Sequence, residues 1–335
     1  MQKTHLPERP HWRDHAKEVG FTFADMHGEP YWDESSAYAF TLDQIENDLE
    51  DPATELHSMC REAVSEIITS ERLMTQLGIP ENRRDLVANS WKQGDPEIYG
   101  RFDFAYDGKG PAKLLEYNAD TPTSLYESAA FQWQWLEDQL AAGVLPEGTD
   151  QFNGIHEALV ARFDEVFEAN SDLHFTAVAG NPEDYGTVEA MGWAAREAGL
   201  GAHYCDLDKI GLSEDGQFLD DEDRRIAVLF KLYPWEDLFL DDYTDHIDGS
   251  GCLFLEPAWK ALLSNKGCCR FSGRCSKATP TCCPPSSRRI SPMHWRARAV
   301  PPPGPHRHSR GPKPTWPQAM CASRSCRAKA LRCRS

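Results

Sequence analysis

Acidic residues are absent from the last part of this chain, since residues 267–335 contain neither aspartate nor glutamate. The same stretch holds 15 of the 35 Lys and Arg residues and 8 of the 11 cysteines. Residues 1–266 carry 53 acidic against 20 basic residues, a net charge of −33, and the remainder carries +15. We therefore treat residues 1–266 and 267–335 as two unlike regions.

Long apolar runs are also lacking. No segment approaches the ~18 continuous apolar residues of a membrane-spanning helix, and the first 15 residues contain no apolar core of a signal peptide. The sequence thus predicts a cytoplasmic protein without a membrane partner. The basic region contains no CxxC pair, and its histidines His306 and His308 are not at zinc-finger spacing. Zinc and nucleic-acid binding by this region are the less favoured interpretations, and no nucleic-acid partner is predicted.

The basic region also lacks apolar periodicity, which predicts disorder for residues 267–335. Frameshifted translation is the preferred explanation of its composition. Cysteine codons are TGY, so joining the last base of the Cys268 codon to the first two bases of the Cys269 codon gives YTG, which always encodes leucine. The shifted frame then permits an apolar segment of the type Leu-Pro-hydrophobe-Leu/Phe-Trp.

The acidic region changes from helical spacing to strand-like runs along its length. Capping-box patterns at residues 41–44 and 124–127 predict two helix starts. Apolar residues recur at helical spacing from about residue 53 until Gly78 and Pro80. Strand-like runs follow at 175–180, 202–208, 226–233 and 252–257, with a helical run at 189–199. This order predicts an α/β fold with a small, mainly parallel layer.

The most informative run is RFDFAYDGKGPAKLLEYNAD, residues 101–120, which reads as a β-hairpin around a Gly/Pro-rich turn. If Asp107 pairs with Ala112, Asp103 lies opposite Glu116 and Arg101 lies opposite Asn118. Because side chains alternate along a strand, these four polar groups share one face. The other face is predicted to be packed and contains Phe102, Phe104, Leu115 and Tyr117.

Two interpretations of the polar face are open. Two carboxylates and an amide oxygen are hard ligands of the kind that Mg²⁺ takes, and a neighbouring arginine can stabilise charge on a transferring phosphoryl group. The alternative is a solvated face with a cross-strand ion pair, which contributes roughly 0.2–1 kcal/mol.

The runs GRFDFAYDG and LLEYNADTPTSLYESAAFQWQWLED resemble the N-terminal part of the glutathionylspermidine synthase family. These ATP-grasp ligases join a glutathione carboxylate to a spermidine amine through an acyl phosphate. The resemblance extends from about Pro10 to Lys266 and is nearest to short bacterial members without an amidase domain. It implies a pre-ATP-grasp-like α/β region, Mg²⁺ and ATP as cofactors, a glutathione-like peptide or other carboxylate as acid, and a polyamine or other amine as acceptor.

The resemblance also implies roles for individual residues. Asp103, Glu116 and Asn118 correspond to the family's Mg²⁺ ligands, and Arg101 corresponds to its phosphate-stabilising arginine. Thr121 and Thr123 lie where the family has serines near the peptide substrate, although helix capping explains them equally well. Glu236 in KLYPWEDLF resembles a Trp-Glu segment that lines the amine side, and a surface turn is the alternative.

Residues 267–335 depart from that family. The segment EPAWKALLSNKG, residues 256–267, resembles one that continues in the family into Leu-Leu-Pro-x-Leu-Trp and then into the ATP-grasp half. The family's Lys-Pro-Ile-x-Gly-Arg phosphate loop and its ATP-clamping lysines are not found here. The sequence therefore predicts a ligase by descent that is inactive as printed, and the alternative is a non-catalytic peptide- or polyamine-binding remnant.

Overall fold

A computed structural model of the chain describes residues 1–26 and 28–264, so the disorder predicted for residues 267–335 lies outside the described residues. The strands are β1 Gln2–His5, β2 Asp25–Met26, β3 Glu29–Pro30, β4 Ser36–Ala39, β5 Arg101–Ala105, β6 Lys113–Asn118, β7 Asp172–Ala177, β8 Gly201–Tyr204, β9 Gly211–Leu212, β10 Phe218–Leu219, β11 Val228–Leu232 and β12 Leu253–Leu255. The α-helices of more regular geometry are α1 Trp12–Glu18, α2 Leu42–Ile45, α3 Asp51–Ile67, α4 Glu71–Gln76, α5 Arg84–Gln93, α6 Gln132–Ala141, α7 Ile155–Val166, α8 Pro182–Glu197 and α9 Trp235–Leu238.

The largest sheet is parallel and has the strand order β12-β11-β7-β8. Its central strands are buried except at their first residues, as expected where both faces of a parallel sheet are covered. The predicted α/β fold with a parallel layer is therefore confirmed. Each of the four strand-like runs corresponds to one strand of this sheet, with its ends displaced by one to a few residues.

Helix α8 covers the sheet and begins at an Asn181 cap, whose side chain accepts hydrogen bonds from the backbone N–H groups of Glu183 and Asp184. Small residues on α8 allow a close approach to its neighbours. A Cβ atom built on Gly186 would lie 2.8 Å from the Phe23 ring. The helix predicted at 189–199 thus starts seven residues earlier than its apolar spacing indicated, because the Asn-Pro start signal precedes that spacing.

The capping box at Thr41 is confirmed, since the Thr41 hydroxyl accepts from the Gln44 N–H and the Gln44 side chain accepts from the Thr41 N–H. The apolar spacing from about residue 53 to Gly78 comprises two helices rather than one. Helix α3 ends at Ile67, and Ser70 caps the start of α4 by accepting from the Leu73 N–H at 3.4 Å. A local serine cap therefore interrupts a pattern that looks continuous in the sequence.

Two hydrophobic clusters form the interior. One lies around β7 and α8, and it includes Phe21 and Phe131 from the first half of the chain. The other lies between α3, α5, β11 and residues 254–263, and it includes Tyr117 of the hairpin. The hairpin is thus attached to the second cluster by its aromatic face. Within residues 1–26 and 28–264, no helix has the length and apolar character needed to cross a membrane.

Candidate functional site

The hairpin formed by β5 and β6 has the predicted register at its functional end. Arg101 pairs with Asn118 and Asp103 pairs with Glu116. All four side chains are partly buried, which leaves them accessible to a small ligand. The prediction that these groups share one face of two adjacent strands is therefore confirmed.

The register changes after Asp103, because a β-bulge makes Phe104 pair with Leu114 instead of Leu115. Leu115 is the extra residue, and 59 % of its surface is exposed. Its predicted place on the packed face is therefore wrong. Phe102 and Tyr117 do belong to that face, where their rings stack with centroids 4.1 Å apart. A bulge was not visible in the alternation of the sequence, since one extra residue shifts the pairing without altering composition.

The polar face is organised around the carboxylate of Asp103. Arg101 donates from Nε to Asp103 Oδ1 at 2.8 Å and from Nη2 to Oδ2 at 3.4 Å. Asn118 donates from Nδ2 to the same Oδ2 at 3.3 Å. The hydrogen bond with Asp103 raises the pKa of Arg101, and burial opposes this shift. The ion pair lies within one strand, so it is not the cross-strand pair that the solvated-face interpretation expects.

The donor set fits Mg²⁺ in its chemistry. In the described ranges, no group of three or more His, Cys, Asp and Glu side chains is placed to hold a metal ion. A magnesium site at this face would use Asp103 and Glu116 together with the amide oxygen of Asn118, and water or phosphate for the other positions. The Asn118 contact with Asp103 uses the amide nitrogen, so the amide oxygen is not engaged in it. Arg101 and a cation would compete for the same Asp103 carboxylate.

The segment after the hairpin carries the two predicted substrate-binding threonines. Thr121 and Thr123 are both partly buried. The Thr123 carbonyl oxygen accepts from Arg101 Nη1 at 3.2 Å, and the Pro122 carbonyl oxygen accepts from the Tyr99 hydroxyl. The backbone of Thr123 thus contacts Arg101, the residue predicted to stabilise the phosphoryl group.

Ser124 differs from the predicted capping residue. Its φ of +69° is left-handed, whereas an N-cap residue is extended. The Ser124 hydroxyl lies 3.1 Å from the Tyr31 hydroxyl, and Tyr31 also donates to the carboxylate of Glu127. Ser124 and Glu127 therefore contact Tyr31, 93 residues away from Ser124 in sequence, instead of forming the predicted capping box.

Asp120 joins the hairpin to the predicted amine-side segment. Its Oδ1 accepts from Lys231 Nζ at 2.7 Å, and its Oδ2 accepts from the Trp235 N–H at 2.6 Å. Lys231 also lies 4.5 Å from the centroid of the Trp235 ring. One buried carboxylate therefore holds the hairpin and the segment with Trp235 and Glu236 together. Glu236 itself is exposed, at the start of α9.

A second buried charge cluster fixes the chain that leads into β5. Lys260 Nζ lies 2.7 Å from Glu256 Oε2 and 3.4 Å from Glu97 Oε2, and it donates to the Tyr99 carbonyl oxygen at 2.6 Å. Glu256 Oε1 accepts from the N–H groups of Ile98 and Tyr99 at 3.2 and 3.1 Å. Burial raises the pKa of Glu256, and the neighbouring Lys260 opposes that shift. Sequence reasoning assigned no role to this cluster.

The segment that carries Glu256 and Lys260 also contacts the other end of the hairpin. Ser264 Oγ accepts from the N–H groups of Ala119 and Asp120 at 3.2 and 2.8 Å. Residues 256–264, noted in the sequence only for their resemblance, thus hold both ends of the polar face in place.

We expect Glu97 to make stability depend on acid pH. Burial raises its pKa, but the hydrogen bond from His57 and the charges of Lys260 and His57 outweigh burial and lower the pKa from 4.5 to about 2. A carboxyl group with a lowered pKa in the folded state stabilises the protein above its unfolded pKa. This contribution is lost as the pH falls from about 4.5 to about 2.

Urea unfolding at pH 6 and pH 3 checks this expectation. Glu97→Gln should be less stable than the unmodified protein at pH 6, and it should lose less stability between the two pH values. The exposed Glu55→Gln serves as the control and should follow the unmodified protein. An unchanged pH dependence in Glu97→Gln would contradict the assignment.

Comparisons with known proteins agree on one family. The model of the glutathionylspermidine synthase preATP-grasp region matches residues 3–270. A Haemophilus influenzae protein, provisionally named as an acid–amine ligase, is 41% identical over 272 residues, which cover 78% of this chain and 67% of that protein. The trypanothione synthetase of Crithidia fasciculata is 27% identical over 237 residues, which cover 64% of this chain and 36% of that protein.

The bifunctional glutathionylspermidine synthetase/amidase of Escherichia coli is 24% identical over 230 residues, covering 68% of this chain and 36% of that enzyme. The chain therefore spans about two thirds of the first relative and about a third of each of the other two. The residues in common include the hairpin and the segments that hold it.

Proposed function

Since this chain belongs to the glutathionylspermidine synthase pre-ATP-grasp family, whose members are ligases, we propose that it carries the metal and phosphoryl corner of an ATP-dependent acid–amine ligase. The observation that carries the proposal is the register of β5 and β6, which sets Asp103 against Glu116 and Arg101 against Asn118. The side chains of the polar face are partly exposed. Two buried ion pairs, Asp120 with Lys231 and Glu256 with Lys260, hold the segments next to this face.

The proposed roles follow from the chemistry of each side chain. Asp103, Glu116 and Asn118 would hold Mg²⁺, which supplies charge neutralisation for the phosphate oxygens of ATP. Arg101, held between Asp103 and the Thr123 carbonyl, presents a fixed guanidinium that stabilises charge on the phosphoryl group. ATP would phosphorylate the acid's carboxylate, and the amine would then displace phosphate to form the amide.

The substrates occupy the two sides of this corner in the proposal. Thr121 and Thr123 position the acid, a glutathione-like peptide or another carboxylate. Glu236, exposed at the start of α9, offers a carboxylate to the ammonium group of a polyamine or another amine. The Asp120 contact with the Trp235 N–H supports this arrangement, because it fixes the start of α9 relative to the hairpin.

A non-catalytic peptide- or polyamine-binding remnant is the second candidate. The net charge of −33 over residues 1–266 favours cation binding, and the lysine-bearing phosphate loop is not found in the printed sequence. We propose that the chain as printed turns over no ATP with glutathione and spermidine, and that restoring the reading frame near residue 267 gives ATP turnover. Turnover by the printed chain would contradict the frameshift proposal and exclude the remnant.

Metal binding by the 335-residue chain tests the proposed magnesium site. Asp103→Asn should weaken binding of Mn²⁺, used as a probe for Mg²⁺, by about tenfold or more, because a carboxylate ligand is lost. Arg101→Ala should leave Mn²⁺ binding unchanged or tighten it, because the competing guanidinium is removed. Isothermal titration calorimetry measures both effects.

The matched control is Asp107→Asn in the exposed hairpin turn, which should bind Mn²⁺ like the unmodified chain. In a form that turns over ATP, Arg101→Ala should lower the rate by about 10²–10³ without increasing the Mg²⁺ concentration that turnover requires. If Asp103→Asn and Asp107→Asn bind the metal equally well, the polar face is only a solvated surface.

A further inference from the structure

A cavity of about 510 Å³ is lined by Leu229 and Lys231 of β11 and by Phe254 of β12, and it reaches the carboxyl ends of β7 and β11. Val178 and Ala179 follow β7, Tyr233 follows β11, and Asp208 lies shortly after β8, and all of them line this cavity. A volume of this size falls in the range of about 300–1,000 Å³ that small-molecule sites occupy. None of the seven residues assigned to the ligase corner lines it.

The cavity lies where the chain reverses its direction of winding. From β7 the chain passes through α8 to β8 on one side, and it then returns to β11 on the other side of β7. In open parallel sheets, the crevice beyond the carboxyl ends of two such strands is the general place for ligands. Val178, Ala179 and Tyr233, which follow β7 and β11, place one end of the cavity at this crevice.

The walls of the cavity are mainly apolar. The apolar side chains that form them are Ile210, Phe218, Leu229, Leu238, Ile247 and Phe254. Tyr233 and Tyr243 add aromatic faces, which attract cations. A ligand with an apolar frame would therefore bury surface there, and a hydrocarbon gains about 25 cal/mol for each Å² removed from water.

The charged side chains of the cavity determine whether it favours a cationic or an anionic ligand. Asp208 and Asp241 contribute carboxylates to the lining. Lys231 is the cationic member, but its ammonium group is already paired with Asp120 at 2.7 Å and donates to the Tyr233 carbonyl oxygen at 2.9 Å. An anionic ligand would have to compete with the buried Asp120 for Lys231. A cation would meet the carboxylate of Asp241 and would compete with the exposed Lys209, 3.2 Å away, for that of Asp208.

We propose that this cavity binds a small organic cation, namely an amine on an aliphatic or aromatic frame. The frame lies among the apolar side chains, and the ammonium group faces Asp208 and Asp241. The site does not depend on the ligase reaction proposed above, because it shares no lining residue with the hairpin corner. A failure of the cavity to bind the amine would therefore leave the proposed ligase reaction untouched, and the reverse also holds.

Calorimetric titration of the full 335-residue chain with a matched series of ligands tests the proposal. We expect 2-phenylethylamine to bind, and phenylacetate and ethylamine to bind at least about tenfold more weakly. Phenylacetate retains the frame but reverses the charge, and ethylamine retains the charge but loses the frame. No binding of 2-phenylethylamine, or phenylacetate binding as tightly, would overturn the proposal.

Two pairs of variants locate the site. Val178→Trp should reduce 2-phenylethylamine binding at least about tenfold by filling the cavity from its exposed side, since Val178 is 47% exposed. Leu42→Trp, at another exposed apolar residue, should leave binding unchanged. Asp241→Asn should also weaken binding, while its side-chain oxygen still accepts from the Tyr243 N–H, and the exposed neighbour Asp242→Asn should not.

Circular dichroism establishes that each variant is folded before titration. Asp241→Asn replaces a group by one of the same size, so it remains informative if Val178→Trp does not fold. Binding that persists at full strength in both Val178→Trp and Asp241→Asn would place the amine elsewhere and overturn the assignment of this cavity.

Discussion

Replacing Lys260 with methionine should lower the free energy of unfolding by about 3–5 kcal/mol. Lys260 is fully buried, and its ammonium group is shared between Glu256 and Glu97. Methionine fills a similar volume but leaves the buried carboxylate of Glu256 without its cation, whereas Glu97 keeps its ion pair with Arg61. The Tyr99 carbonyl also loses its donor. Urea unfolding monitored by tryptophan fluorescence at pH 7 measures the loss.

Lys209→Met is the matched control, because it removes the same charge from an exposed ion pair with Asp208 at 3.2 Å. Exposed pairs contribute about 0–1 kcal/mol, so the control should differ little from the unmodified protein. Equal effects of the two substitutions would show that the Lys260 cluster adds nothing beyond a surface pair. A large effect of Lys260→Met alone would show that the buried Lys260 cluster stabilises the fold.

The parts of the fold that could be predicted from sequence are those determined by local patterns. The parallel strands were visible because their apolar runs are bounded by turn residues. The pairing of Asp103 with Glu116 was predicted from an assumed four-residue turn, although the register next to the turn is shifted by one residue. The bulge at Leu115 was not visible, because one extra residue shifts the pairing without changing the composition of the strand. Local alternation cannot report such a shift.

The supports of the candidate site were harder to predict for a different reason. Asp120 and Lys231 lie 111 residues apart, and Tyr99 and Lys260 lie 161 residues apart. One signal was present in the sequence. Lys231 interrupts the apolar strand β11, and a lysine in a buried strand requires a counter-charge. The sequence could thus indicate that a buried carboxylate was needed, but only the fold identifies it as Asp120.

Asp120→Asn should lower the free energy of unfolding by about 3–5 kcal/mol, because it leaves the buried ammonium group of Lys231 unpaired. Burial already lowers the pKa of Lys231, and the charge of Asp120 is the main opposing effect. Lys231→Met, which leaves Asp120 buried without its cation, should be similarly destabilising. Chemical denaturation of the two single variants at pH 7 checks both values.

The double variant Asp120→Asn/Lys231→Met separates pairing from general disruption. Once both charges are removed, neither is left buried alone, so its destabilisation should be smaller than the sum of the single effects by about 1–3 kcal/mol. The asparagine can still accept from the Trp235 N–H, so α9 should keep its position. Additive losses in this cycle would mean that the pair contributes no coupling, and that other contacts connect the hairpin to the segment carrying Glu236.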